Sequence, residues 1–375
     1  MKPLAGVRVV ELARILAGPW CGQLLADLGA DVVKVERPGS GDDTRHWGPP
    51  FVTAPDGSAR DAAYFHATNR GKTSVAIDIT SPEGQAEVRA LVAGADVVIE
   101  NYKVGGLARY GLDHAALSAV RPGLVTCSIT GFGQDGPYAH RAGYDFIIQA
   151  MGGAMSLTGE PDGAPQKSGV AYADLFTGLY AGVAILAALR RRDLTGEGAH
   201  IDMALLDTQV AVLANQALNL MAGGSVPTRM GNGHANLVPY QAFETADGAL
   251  IVAVGNDGQF ARLCGILGLD LHTDARFATN PARVAHRREV IRAVQAAVAT
   301  WRKAELAHAL EAAGIPAGPI NALDEVFADP QVIARGMAIR PDGLPGLAGP
   351  IVIDGERMVA DRGAPKRPYS GIRRG

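Results

Sequence analysis

Residues 6–36 read GVRVVELARILAGPWCGQLLADLGADVVKVE. Gly6 to Glu11 and Asp31 to Glu36 are short valine-rich runs that fit buried strands, and Pro19 to Leu28 between them has the character of a helix. The alternation continues outward. Ser74 to Ile79 (SVAIDI), Asp96 to Glu100 (DVVIE) and Leu124 to Ile129 (LVTCSI) read as further strands. Ser81-Pro82-Glu83 marks a helix start, with serine as cap and proline at the first helical residue, and that helix is expected to run to about Ala93. Near-continuous apolar strands alternating with helices predict an α/β fold with an open, mostly parallel sheet covered on both faces.

Beyond Tyr144 the pattern turns helical. Leu175 to Arg191 is long and apolar and ends in Arg190-Arg191-Arg192, basic residues suited to a helix C-terminus. Leu205 to Leu220 has few charges on any face and is expected to be one buried helix. The character changes near Gly223-Gly224. Tyr240 to Thr245 and Ala249 to Val254 flank Ala246-Asp247-Gly248, a hairpin signal, and helices are expected at about Gly258–Leu267, Arg283–Thr300 and Ala304–Ala313. The division expected is a large domain over 1–224, a small α+β domain over 225–320, and a Pro- and Gly-rich segment over 321–375 that returns to the large domain.

Composition bounds the function. The 375 residues are 47% hydrophobic and 19% charged, as in a globular protein with a sizeable core. A net charge of −3 argues against nucleic acid as a partner. The three cysteines, Cys21, Cys127 and Cys264, are scattered and form no CxxC, which fits reduced thiols in a cytoplasmic setting. No run of 18 apolar residues suggests a membrane partner, and the start, Met1-Lys2-Pro3-Leu4, lacks the apolar core of a signal peptide. Lys366-Arg367 and Arg373-Arg374 read as a solvated basic tail.

The turn after the first strand, Ala13 to Pro19, is not GxGxxG. Gly71-Lys72-Thr73 resembles the end of a P-loop, but His66 stands where its first glycine belongs. No paired Cys/His spacing points to a metal. What remains lies where open α/β sheets bind ligands, beyond the carboxyl ends of strands. Arg37 and Arg45 follow the second strand and suit a phosphate or carboxylate, or are plain loop arginines. Glu100-Asn101-Tyr102, with Arg109 close behind, offers an aromatic beside a guanidinium. Asp174 sits between the apolar segment Val170 to Ala173 and the long apolar helix. A carboxylate there is either an ordinary helix cap or a nucleophile that the helix N-terminus helps keep ionised. Gly231-Asn232-Gly233-His234 is a loop whose N–H groups suit an oxyanion, or a simple linker.

Taken in order, these pieces resemble the family III CoA-transferases. The matching stretches include Leu16-Ala17-Gly18-Pro19, Val35 to Gly39, Gly41 to Arg45, Asn69 to Lys72, Glu100-Asn101-Tyr102, Ser128 to Gly133, Arg141 to Asp145, Gly169 to Asp174 and Gly314 to Pro319. Gly41 to Phe51, Val238 to Phe243 and Ala322 to Val332 look like the branch that acts on succinyl-CoA and glutarate. The resemblance implies a large Rossmann-like domain and a small domain, in an interlocked homodimer. It implies Asp174 as the nucleophile that carries coenzyme A as an aspartyl thioester between an acyl-CoA and a small carboxylic acid. It places coenzyme A contacts at Leu16, Ala17, Arg37, Asn101, Tyr102, Arg109, Arg141 and Tyr144. Coenzyme A is then a substrate, and no separate cofactor or metal is called for. Arg45 and Arg229 are candidates for a distal carboxylate, and Gly231, Gly233 and His234 for the acyl end of the site. The loop Gly-Asn-Gly-His lacks the consecutive glycines of the oxalate branch, which makes oxalate an unsuitable substrate.

Two other readings compete. An α-methylacyl-CoA racemase shares the fold but needs two proton carriers, and Tyr144 and Asn256 stand where family racemases place His and Glu. A non-catalytic coenzyme A-binding protein would have no use for Asp174.

Overall fold

The computed structural model describes residues 1–368, apart from the side chains of Ala59 and Arg60. Arg373-Arg374 lie outside the described residues. Arg367 of the same basic tail is tied down, its Nε donating to Asp61 Oδ1 at 2.8 Å.

Six strands form one parallel sheet. Their order across it is Thr73–Ala76, Asp31–Glu36, Arg8–Glu11, Val97–Glu100, Val125–Thr130 and Ala199–Ala204. Val9 lies opposite Val32 on one side and Val97 on the other, so the valine-rich runs meet at the centre. Both faces are covered, as continuous apolar strands require. Val9, Val32, Val97 and Val125 pack with Leu25, Ala181 and Ile185 on one face. Val10, Val35 and Val98 pack with Val88, Val92 and Leu117 on the other. Cys21, Cys127 and Cys264 are free and buried.

The order reverses between the first strand in the chain, Arg8–Glu11, and the fourth, Val97–Glu100. The chains leaving these neighbours part in opposite directions, which opens a crevice beyond their carboxyl ends.

The helix Tyr172–Thr195 brings its first turn to that crevice. It packs along the helix Ala17–Asp27, and two glycines permit the approach. A Cβ at Gly178 would stand 2.5 Å from the Ala17 carbonyl, and one at Gly182 would stand 2.8 Å from a Leu24 methyl. Contrary to the sequence expectation, this helix is long and apolar enough to cross a membrane by length and composition. In the fold, Ala173, Thr177, Ala181, Ile185 and Leu189 are instead buried in the sheet core.

The expected helix over Leu205 to Leu220 is two helices, Leu205–Ala211 and Asn215–Gly223. The chain turns at Ala214, whose φ is 45°, and the second helix buries no residue. Neither Gly nor Pro marks that break, so local sequence carried no sign of it.

The chain divides into two compact units there rather than at 224. One unit holds residues 1–154, 167–214 and 330–375; the other holds 155–166 and 215–329. In the second, Ala317–Pro319, Gly248–Ala253 and Tyr240–Thr245 form an antiparallel sheet. Its core joins Phe243, Leu250 and Val252 to Phe260, Val290, Val294, Leu306 and Leu310 from the covering helices. The returning segment starts at 330 rather than 321. It is fastened to the first unit by bonds such as Gly71 N–H to Arg362 O (3.0 Å) and Ala360 N–H to Asp27 Oδ1 (2.8 Å).

Candidate active site

The crevice is a cavity of about 490 Å³. Its walls are the loops that leave the strands at the switch point: Arg14 to Ala17 after the first and Asn101 to Arg109 after the fourth. Ile129 to Gly131, Arg141 to Tyr144, Leu205 and Asp174 complete it. A larger cavity of about 840 Å³ lies along the edge strand Thr73–Ala76, at the border of the sheet rather than at its switch point.

Asp174 is the third residue of its helix, and the cap is supplied by another carboxylate. Asp145 Oδ1 accepts from Ala173 N–H at 2.9 Å and from Asp174 N–H at 3.4 Å. Gln149 Nε2 holds the other oxygen of Asp145 at 2.7 Å, and Gln149 Oε1 in turn accepts from Ser168 N–H at 2.9 Å. The helix start and the Asp145–Met151 helix are thereby locked together. Burial, and then the like charge of Asp145, push the Asp174 carboxyl up to about 7. The sequence led us to expect a carboxylate kept ionised by the helix N-terminus; desolvation outweighs that effect here. The result is a carboxylate more basic and more nucleophilic than usual, on a rigid helix turn in a cationic cavity.

Of the proposed coenzyme A contacts, Leu16, Ala17, Asn101, Tyr102, Arg109, Arg141 and Tyr144 all line the cavity. Arg37 does not. It is exposed after the second strand, near enough to favour the ionised form of the Tyr102 phenol, although burial of that phenol prevails. Asn101 acts first on the fold: its amide accepts from Arg14 N–H (3.0 Å) and donates to Arg14 O (2.7 Å), which joins the two loops. Arg141 stacks over Tyr138 at 4.5 Å and Arg109 over Tyr110 at 4.6 Å. Arg14, Arg109 and Arg141 make the mouth cationic, as a phosphate-bearing ligand needs.

Arg45 is not a substrate residue. It is fully buried; Nε and Nη2 pair with Glu36 at 2.7 and 2.6 Å, and Nη1 binds Asp61 and the Pro365 carbonyl. Its guanidinium also lies 3.7 Å over the Phe65 ring. With those contacts made, nothing remains to meet a ligand.

Gly231, Gly233, His234 and Arg229 belong to the second unit, and their donors are engaged within it. The N–H groups of Gly231, Gly233 and His234 donate to Gly159 O, Met230 O and Tyr240 O at 3.0, 2.9 and 3.0 Å. Arg229 donates to the carbonyls of Glu160 and Gly163. In this arrangement the loop offers no free N–H at these three residues for an oxyanion.

Sequence reasoning missed two residues. Asp145 was seen in a motif but given no role, because it caps a helix 28 residues away. Tyr64 was not singled out. Burial, then the Asp174, Asp145 and Asp42 carboxylates, hold its phenol above the ordinary range, so it lies within electrostatic reach of the Asp174–Asp145 pair. Asn256 caps its own helix by accepting from Gln259 N–H at 2.9 Å, which suits a structural role rather than proton transfer.

A family model for "CoA-transferase family III" matches residues 4–367. A succinate–glutarate CoA-transferase of Agrobacterium fabrum is 57% identical over 97% of this chain and 92% of its own. A succinyl-CoA:glutarate CoA-transferase of Homo sapiens is 43% identical over 94% of this chain and 80% of its own. The crystal structure of a CAIB/BAIF family protein from Brucella suis superimposes with a TM-score of 0.86 at 57% identity, covering 97% of this chain and 96% of that one. This chain belongs to CoA-transferase family III and is an enzyme that transfers coenzyme A.

Proposed function

We propose that the chain moves coenzyme A from succinyl-CoA to glutarate, with Asp174 as covalent carrier. One observation carries the mechanism: a partly buried carboxylate, pushed up to about 7, stands in the switch-point cavity that Arg14, Arg109 and Arg141 also line. The pair of acids is supported by the names of relatives 43–57% identical to this chain.

Asp174 Oδ attacks the thioester carbonyl; the C–S bond breaks and coenzyme A leaves as a thiolate, giving a mixed anhydride. The thiolate then attacks the Asp174 carbonyl and releases the donor acid, leaving an aspartyl-CoA thioester. The acceptor carboxylate repeats the two steps in reverse order. Overall one thioester replaces another of similar energy, so the sequence needs no ATP. Contacts to the body of coenzyme A, remote from the reacting carbon, hold the thiolate in place between steps.

The nucleophile is the ionised form, so kcat/KM for the acyl-CoA should rise with pH through about 7 and level off above it. Asp145→Asn keeps an oxygen for the two N–H groups but removes the charge. Its acid limb should move to lower pH, and an unmoved limb would show that Asp145 has no electrostatic influence on the nucleophile.

We also propose that the chain works as a homodimer. Phe176, Leu179, Tyr180 and Val183 on the long helix, and Phe146, Ile147 and Met151 on the Asp145–Met151 helix, are exposed, more apolar surface than a lone chain keeps. The test of the reaction is to mix the enzyme with succinyl-CoA and a panel of mono- and dicarboxylic acids and to separate the resulting esters. Glutaryl-CoA should be the dominant product. Transfer to another acid would overturn the acid pair, and no transfer to any acid would overturn the reaction as written. Light scattering on the same sample should give twice the chain mass, and the mass of one chain would overturn the dimer.

A further inference from the structure

Among the described residues, four have positive φ without being glycine, and one of them, Ile15, lines the cavity. Its φ is 72°. A β-branched side chain is poorly tolerated in that region of backbone space, so something must hold it there. The holding contact is the Asp42 carboxylate, which accepts from Ile15 N–H at 3.2 Å. Asp42 is buried and fixed from below. It accepts from Thr44 N–H at 2.9 Å, pairs with Lys34 Nζ at 2.9 Å, and its own N–H donates to Glu36.

The same buried network grips both ends of the loop. Lys34 Nζ donates to Ala13 O and Lys72 Nζ to Pro19 O, each at 2.8 Å, and Glu11 lies between the two ammonium groups at 2.9 and 2.8 Å. Burial opposes the charges of Lys34 and Asp42, yet their partners more than offset it: Lys34 is held above and Asp42 below its ordinary range. Between these ends, Arg14 is tied to the Asn101 amide and the strained residue, Ile15, to the Asp42 carboxylate.

We infer that Asp42 is a positioning residue: it clamps Ile15 in a left-handed conformation and thereby sets the Arg14–Ala17 wall against which coenzyme A binds. Nothing in the reaction as written uses Asp42. The inference rests on this cavity being the coenzyme A site, so the test reads binding of free coenzyme A, which does not depend on the acid pair.

Calorimetry with coenzyme A, and KM and kcat with succinyl-CoA, are compared for wild type, Asp42→Ala, Ile15→Gly and the double variant. Asp42→Ala should weaken binding and raise KM roughly tenfold while kcat changes far less. Glycine adopts this φ without strain, but Ile15→Gly also takes a side chain from the cavity wall, so its own affinity is the baseline for the double variant. The double variant should bind like Ile15→Gly alone and better than Asp42→Ala, a rescue that general damage to the fold would not show. If Asp42→Ala does not fold, Asp42→Asn, which keeps the acceptor and loses the charge facing Lys34, should show a smaller loss that Ile15→Gly again removes. Wild-type affinity in the Asp42 variants, or a double variant no better than Asp42→Ala, would overturn the positioning role. A wild-type chain that binds no coenzyme A would instead overturn the reading of the cavity.

Discussion

Asp174→Asn should abolish transfer and yet yield a more stable protein. Loss of a covalent nucleophile removes a factor on the order of 10⁴–10⁶ from kcat. Binding of coenzyme A should survive, because the cationic mouth and the loop contacts are untouched. The stability gain follows from the raised carboxyl. Burial and Asp145 lift it from 3.8 to about 7, so the folded state holds the Asp174 proton more tightly than the unfolded chain does. The stability this gives is fully present below about 3.8 and is lost as pH rises to about 7. Asparagine suffers no such loss. The variant should therefore unfold at the same denaturant concentration as wild type near pH 4 and be more stable at pH 8 by on the order of 2–4 kcal/mol. A variant no more stable at pH 8 than wild type would mean that Asp174 ionises without strain. A site that stores destabilisation where it does its chemistry is the expected trade between stability and activity.

Arg45→Met should give the opposite result, a protein competent in chemistry but badly weakened. The substitution leaves Glu36 and Asp61 as buried carboxylates without their main cation, a loss of about 3–5 kcal/mol. Although burial works to raise the Glu36 carboxyl, Arg45 and Lys34 hold it below its ordinary value. The pair's contribution is thus present above the unfolded carboxylate range and fades as pH falls through the folded value. The gap between wild type and variant should be widest near pH 7 and narrow only as pH falls below 4.5, the ordinary Glu36 value, as chemical denaturation will show. At permissive temperature, KM for glutarate should stay close to wild type. A large rise in that KM at unchanged stability would restore Arg45 as a substrate residue.

These two residues show what local sequence does and does not carry. Strands such as Arg8–Glu11 and Val97–Glu100 were legible because both sheet faces are buried, which makes each strand a continuous apolar run. The cavity walls were legible because ligands gather beyond strand ends, and Leu16, Asn101 and Tyr102 lie there. Arg45 was misread on the same rule. It follows a strand and carries a charge, but its partners Asp61 and Pro365 are brought by chain that lies 16 and 320 residues away. The role of Asp145 was hidden for the same reason, since capping across tertiary space has no local signature. The domain boundary was misplaced because the turn at Ala214 uses an ordinary residue, whereas Gly223-Gly224 advertises a turn that is not the boundary. Patterning alone left open the choice between a cap and a nucleophile at Asp174, and it is the family resemblance that implies the nucleophile.

The most direct test is to trap the carrier. The enzyme is mixed with succinyl-CoA without acceptor, quenched in acid, digested and examined by mass spectrometry, with borohydride added to a parallel sample to reduce any thioester. The peptide containing Asp174 should gain the mass of coenzyme A less one water, and in the reduced sample the Asp174 side chain should become an alcohol. Adding glutarate before the quench should discharge the adduct as glutaryl-CoA. Full turnover with no adduct on Asp174, or an adduct on another carboxylate, would contradict the assignment of Asp174 as the covalent carrier.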